Sequence, residues 1–135
     1  MQKRILVIDN DQDLLDAVET ALLIENFEVE TRPYVDNILT LVDEIRPDLI
    51  LIDYLLYGIN GGELCHLIKT QPKTAQIPVI IFSGYPRIIQ SLGTYECDAF
   101  ISKPFELSNF IETINYCIKK AGQDMKVLKT PMNSV

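Results

Sequence analysis

The stretch Pro47-Asp48-Leu49-Ile50-Leu51-Ile52-Asp53 constrains the fold of this chain more than any other. An apolar run of strand length that ends in a single carboxylate reads as a parallel strand buried on both faces. Such a strand delivers Asp53 to its carboxyl end. In open α/β sheets, ligands and chemistry collect outside that edge, so the partners of Asp53 must come from other strand ends.

Three further apolar runs supply them. Arg4-Ile5-Leu6-Val7-Ile8 reads as a first buried strand and stops at the polar cluster Asp9-Asn10-Asp11. Pro78-Val79-Ile80-Ile81-Phe82 is rich in β-branched residues and ends in Ser83-Gly84. Ala99-Phe100-Ile101 ends in Ser102-Lys103-Pro104, which brings a cation to the same edge. Phe27 to Thr31 alternates in character and fits a shorter, more exposed strand near the sheet edge.

Helical spacing fills the intervals. Asp11 caps a helix whose apolar face is Leu14, Leu15, Val18, Ala21 and Leu22. Ile38, Leu41, Val42 and Ile45 mark a second helix that must stop before Pro47. A glycine-rich loop after Asp53 leads into a short helix from Glu63 to Thr70, and Pro86 to Leu92 allows about two turns of a fourth. Leu107, Phe110, Ile111, Ile114, Cys117 and Ile118 face the sheet from a fifth, and the pattern dissolves at Gly122. Strands alternating with helices predict a doubly wound, five-stranded parallel α/β sheet with helices on both faces and right-handed crossovers. Residues 1–121 form the expected domain and 122–135 a flexible C-terminal tail.

Composition narrows the function. The 135 residues make one domain, and the apolar runs are too short to span a bilayer. Met1-Gln2-Lys3-Arg4 does not open a signal peptide, so the expectation is a cytoplasmic protein away from the membrane. A formal charge of −7 argues against direct nucleic-acid binding and suits a site for a divalent cation. Cys65, Cys97 and Cys117 lack paired metal spacing and read as reduced thiols, and the solitary His66 reads as a surface residue.

The edge therefore gathers Asp9, Asn10, Asp11, Asp53, the Ser83 hydroxyl and the Lys103 ammonium. That set suits phosphoryl transfer with Mg²⁺, which needs one or two carboxylates and keeps several waters. A phosphoryl group in flight spreads negative charge that a metal, a lysine and a hydroxyl neutralise.

From Lys3 to about Ala121 the chain resembles the receiver domain of two-component response regulators. The resemblance rests on Ile5-Leu6-Val7-Ile8-Asp9-Asn10-Asp11, Pro47-Asp48, Gly58-Ile59-Asn60-Gly61, Ile81-Phe82-Ser83-Gly84 and Ser102-Lys103-Pro104-Phe105. It implies a flavodoxin-like sheet in the order 2-1-3-4-5 and phosphorylation on Asp53 by a sensor histidine kinase or histidine phosphotransfer protein. By the same resemblance Asp9, Asn10, Asp53 and the backbone carbonyl of Leu55 hold Mg²⁺. Lys103 contacts the phosphate, Ser83 and Phe100 form the switch, and Gly84 leaves the acceptor accessible. The implied output is a downstream protein bound at the face of the fourth helix, fifth strand and fifth helix, with a homodimer left open. The chain would then assist its own phosphorylation and dephosphorylation without being an enzyme in the ordinary sense.

Four departures stand against that pattern. Asn10 replaces the second metal-binding acid, a loss of one charge worth on the order of 1–4 kcal/mol near the surface, for which Asp11 is the candidate compensating acid. Tyr57 replaces a proline, Glu96-Cys97 replaces a Gly-Ala pair, and the segment from Ser83 to Lys103 is about two residues short. These keep a second reading in play, a pseudo-receiver that binds partners without phosphorylation. A third reading takes Asp9-Asn10-Asp11 as the opening of a haloacid-dehalogenase phosphatase, against which stand the missing cap domain and the missing later acidic pair.

Overall fold

The computed structural model describes residues 2–56, 58–84 and 96–129, the last six of these by backbone alone. Strands β1 (Arg4–Ile8), β2 (Glu28–Arg32), β3 (Leu49–Asp53), β4 (Val79–Ser83) and β5 (Ala99–Ser102) pair in parallel. Their order is β2-β1-β3-β4-β5. The described helices are α1 (Gln12–Ile24), α2 (Ile38–Ile45), α3 (Gly61–Lys69) and α4 (Leu107–Lys129), the last being the fifth helix expected from the sequence.

The continuous apolar runs have the consequence that a parallel sheet requires, with both faces covered. Ile5, Val7, Leu49, Leu51, Ile80 and Phe82 point to one core, closed by Leu15, Val18 and Leu22 of α1 and Phe110 and Ile114 of α4. Their alternating neighbours Leu6, Ile8, Ile50, Ile52, Val79 and Ile81 point to the other, closed by Ile38 and Val42 of α2 and Leu64, Cys65 and Ile68 of α3. β2 lies at the sheet edge and none of its residues is fully buried, as its mixed sequence requires.

Side-chain caps fix where three helices begin. Asp11, Asn37 and Asn60 accept from the backbone N–H groups of Leu14, Thr40 and Glu63 at 3.2, 3.1 and 2.8 Å. α2 ends at Arg46, whose φ of 55° turns the chain left-handed just before Pro47.

Several boundaries differ from the sequence expectation. β2 is displaced one residue toward Arg32. α3 starts at Gly61 rather than Glu63, because the Asn60 cap recruits both glycines. α4 runs through Gly122 to Lys129, beyond the expected start of the tail, since one glycine costs only about 1 kcal/mol in a helix and the residues after it are mostly good helix formers. The expected helix at Pro86–Leu92 and Tyr57 lie outside the described residues.

Candidate functional site

Sheet register brings the chemistry together. Ile8 pairs with Ile52, so Asp9 leaves β1 beside Asp53 at the end of β3. Asp53 pairs with Phe82 and Ser83 with Ser102, so Ser83 and Lys103 complete the row across β4 and β5. The Lys103 amide donates to the Ser83 carbonyl at 2.8 Å, which ties the two strand ends together.

Lys103 joins the two acids. Its Nζ donates to Asp9 Oδ2 at 2.8 Å and to Asp53 Oδ1 at 3.2 Å. Asp9 is 0% exposed and its other oxygen accepts from the Asp11 amide at 2.8 Å. Asp53 is 6% exposed and accepts from the backbone N–H of Leu55. Two carboxylates thus share one ammonium, and the cluster keeps net negative charge. Burial, and then the nearby Asp9 carboxylate, raise the Asp53 pKa above its ordinary 3.8, while Lys103 and the Leu55 amide pull the other way.

The lysine also rests on an aromatic floor that sequence reasoning did not assign to the site. Its Nζ lies 4.8 Å from the Phe82 ring centroid. Phe105 packs edge-on to Phe82 and tilted against Phe110, at centroid distances of 6.5 and 4.8 Å, so α4 supports the site from below. Phe82 read only as a core residue because its position one before Ser83 gives no hint that a cation sits above it. The Lys103-Pro104 peptide is cis.

Gly61 is the second residue whose role the sequence left unstated. A Cβ there would lie 2.4 Å from the Asp53 carbonyl oxygen, so only glycine lets α3 begin this close to the end of β3. Its amide donates to the Tyr54 carbonyl at 2.8 Å and closes the loop after Asp53. Gly84 leaves open space, with nothing within 4 Å of a Cβ built on it.

The other nominated residues are distributed as follows. Ser83 is 1% exposed at the end of β4. Asn10 is exposed at the end of β1. Asp11 is exposed too, and its carboxylate caps α1 at Leu14 rather than joining Asp9 and Asp53. Phe100 is partly buried and packs on the α2–α3 side of the sheet. His66 is exposed.

A metal ion would find a compatible donor set. Among the described residues no three acids, thiols or imidazoles converge on one point. Two carboxylates with residual negative charge match the hard-oxygen, water-rich coordination of Mg²⁺ rather than that of a cation needing a full protein cage. Asp9 and Asp53 are the acids placed to hold it, with the Leu55 carbonyl and the Asn10 amide as neutral oxygens nearby in the chain.

Comparison with known proteins converges on one family. The family described as "Response regulator receiver domain" matches residues 5–115. The nisin biosynthesis regulatory protein NisR of Lactococcus lactis is 34% identical over 120 residues, covering 89% of this chain and 52% of NisR. The DNA-binding response regulator MtrA of Mycobacterium tuberculosis is 27% identical over 122 residues, again covering 89% of this chain and 52% of the relative. The chain therefore spans about half the length of the curated relatives it matches. Among solved structures, a CheY-like receiver domain protein from Methanospirillum hungatei superposes with a TM-score of 0.81 at 26% identity, covering 92% of this chain and 99% of that one. A response regulator from Chloroflexus aurantiacus superposes with a TM-score of 0.83 at 21% identity, covering 88% and 99%, which speaks to the fold.

Proposed function

The chain belongs to the response regulator receiver domain family of two-component signal transduction, and on that premise we propose that Asp53 accepts a phosphoryl group with Mg²⁺ from a histidine kinase or phosphotransfer protein. The observation that carries the proposal is the sharing of Lys103 by Asp9 and Asp53 at the carboxyl edge of the sheet. Family membership makes this a signalling domain rather than an ordinary enzyme.

An Asp53 carboxylate oxygen attacks the phosphorus of a phosphohistidine. The P–N bond breaks, an acyl phosphate P–O bond forms, and the imidazole leaves as its nitrogen takes up a proton. A Mg²⁺ ion held by Asp9 and Asp53 would supply positive charge to the phosphoryl group in transfer. Lys103, already bonded to Asp53, follows the new phosphate and offsets its charge. Asp9 keeps Lys103 and the cation at the acceptor, and the Leu55 amide orients the attacking carboxylate. The Ser83 hydroxyl responds to the phosphate and Phe100 follows it, so the face built around β5 changes its affinity for a downstream protein.

The test is intact-mass spectrometry after incubation with Mg²⁺ and a small acyl phosphate, on wild type and Asp53→Asn in parallel. One added phosphoryl group in wild type alone is expected, and labelling that persists in the variant would overturn the choice of acceptor. A second reading, the pseudo-receiver, is favoured by one observation: Asn10 carries no charge and Asp11 is committed to its helix cap. Millimolar Mg²⁺ separates the two. A thermal midpoint that rises with Mg²⁺ in wild type and not in Asp9→Asn supports phosphoacceptance, and no response in wild type supports the pseudo-receiver.

A further inference from the structure

We propose that Cys65 and Cys97 form a reversible dithiol–disulfide site that ties α3 to the chain leading into β5. The two Sγ atoms lie 2.7 Å apart, although the residues are 32 positions apart in sequence. That is about 0.7 Å beyond a covalent S–S bond and far inside ordinary sulfur contact. The proposal is independent of the phosphoacceptor reading, since neither cysteine belongs to the acid edge.

The surroundings hold this approach in place. Asp98, next to Cys97, pairs with Lys69 on α3 at 2.7 Å, and Lys69 lies one helical turn beyond Cys65. The Asp98 carboxylate also accepts from the Val79 amide at 2.7 Å, and the Asp98 amide donates to the Val79 carbonyl at 2.9 Å. Lys69 in turn donates to the carbonyls of Ala75 and Ile77 at 3.2 and 2.7 Å. The same two segments are thus joined by an ion pair and by a sulfur contact, and the ion pair fixes the geometry of the sulfurs. Thiols held together in this way react as if at high local concentration.

Access divides the roles. Cys65 is 0% exposed, whereas Cys97 is only partly buried. The Cys97 contact, followed by burial, raises the Cys65 pKa, so Cys65 remains a thiol at neutral pH. Oxidation by a low-molecular-weight disulfide such as oxidised glutathione therefore starts at Cys97. Its thiolate attacks one glutathione sulfur, the glutathione S–S bond breaks, and one glutathione thiolate leaves. Cys65 attacks the Cys97 sulfur as its proton passes to solvent base, the second glutathione departs as a thiolate, and both glutathione thiolates are protonated from water. The protein loses two electrons and two protons, and one glutathione disulfide becomes two thiols.

The experiment is oxidation of the full chain with oxidised glutathione, followed by alkylation in denaturant, intact mass and peptide mapping. A closed site protects two of the three cysteines, yields a Cys65–Cys97 cross-linked peptide, leaves Cys117 alkylated and raises the thermal midpoint by about 10 °C. Reductant reverses the protection, the cross-link and the shift in midpoint, Cys117 is alkylated in both states, and Cys117→Ser behaves as wild type. Cys97→Ser, at the more accessible position, abolishes the cross-link. Three thiols that stay reduced, a glutathione adduct that persists on Cys97, or a bond between two chains would each overturn the proposal. None of these readouts depends on phosphorylation, so failure here leaves Asp53 untouched and failure at Asp53 leaves the sulfur site untouched.

Discussion

The two edges of one sheet handle charge in opposite ways. At the amino edge, Arg4 and Lys69 each have an acid of their own. Arg4 holds Glu28 at 2.9 Å, and the Arg4 amide is held by Asp48 at 2.8 Å. Lys69 holds Asp98 at 2.7 Å beside the start of β4. At the carboxyl edge, Asp9 and Asp53 compete for Lys103, and both acids are nearly inaccessible to water. Balanced charge holds strands in register, and unbalanced buried charge marks a candidate functional site.

The sharpest way to break that comparison is to remove the shared lysine. Lys103→Met leaves two buried carboxylates facing each other without a cation, and we expect about 3–4 kcal/mol of lost stability at pH 7. Urea denaturation measures it. Millimolar Mg²⁺ should restore part of the loss, because a cation can replace the ammonium. A loss below about 1 kcal/mol would mean that the carboxyl edge is as well solvated as the amino edge.

Gly61→Ala tests the same edge through space rather than charge. The new methyl would meet the Asp53 carbonyl at 2.4 Å, backbone that cannot swing aside. A loss of about 1–3 kcal/mol is expected from such overpacking, with a displaced loop after Asp53 and slower labelling by acyl phosphate. Unchanged stability would show that α3 can slide off the strand end.

Asp53→Asn should do the reverse and stabilise. The Asp53 pKa is raised in the folded chain, so burial of its charge costs stability as pH climbs from the ordinary 3.8 through the folded value. Below 3.8 both folded and unfolded chains carry a neutral Asp53, and the cost is gone. The variant is thus expected to be more stable than wild type at pH 7 and equal to it near pH 3.5, read as the difference in urea midpoint between the two proteins. A gain that is the same at both values of pH would assign the effect to shape instead of charge.

How far this contrast was legible from the sequence depends on which interaction carries it. The five strands and their buried character follow from apolar runs such as Leu49-Ile50-Leu51-Ile52, whose meaning is local. The acids, Ser83 and Lys103 were legible as a group because parallel strands all deliver their last residues to one edge. The Phe82 ring under Lys103 was not, since it depends on how α4 seats Phe105 and Phe110. Nor was the Cys65–Cys97 contact, which is created by a helix turn meeting a strand lead-in 32 positions away. Asp11 was legible as a cap, and its Oδ1 accepts from the Leu14 amide as that reading expects.

The smallest expected effect lies at the balanced edge and completes the comparison. Arg4 pairs with Glu28 while both side chains keep about 40% exposure, and its guanidinium also donates to the Ile45 carbonyl at the end of α2. A half-solvated pair contributes little, and the cation at a helix carboxyl end adds a few tenths of a kcal/mol. Arg4→Ala is therefore expected to cost about 0.5–1 kcal/mol at low salt, and less at high ionic strength as the surface charges are screened. The Asp48 bond survives, because it is made to the Arg4 backbone. Urea midpoints at two salt concentrations make the contrast quantitative: the Arg4→Ala loss should shrink with salt, whereas the Lys103→Met loss should respond chiefly to pH and Mg²⁺. If both losses tracked salt alike, the carboxyl edge would be an ordinary surface cluster, and its unbalanced charge would no longer point to a site.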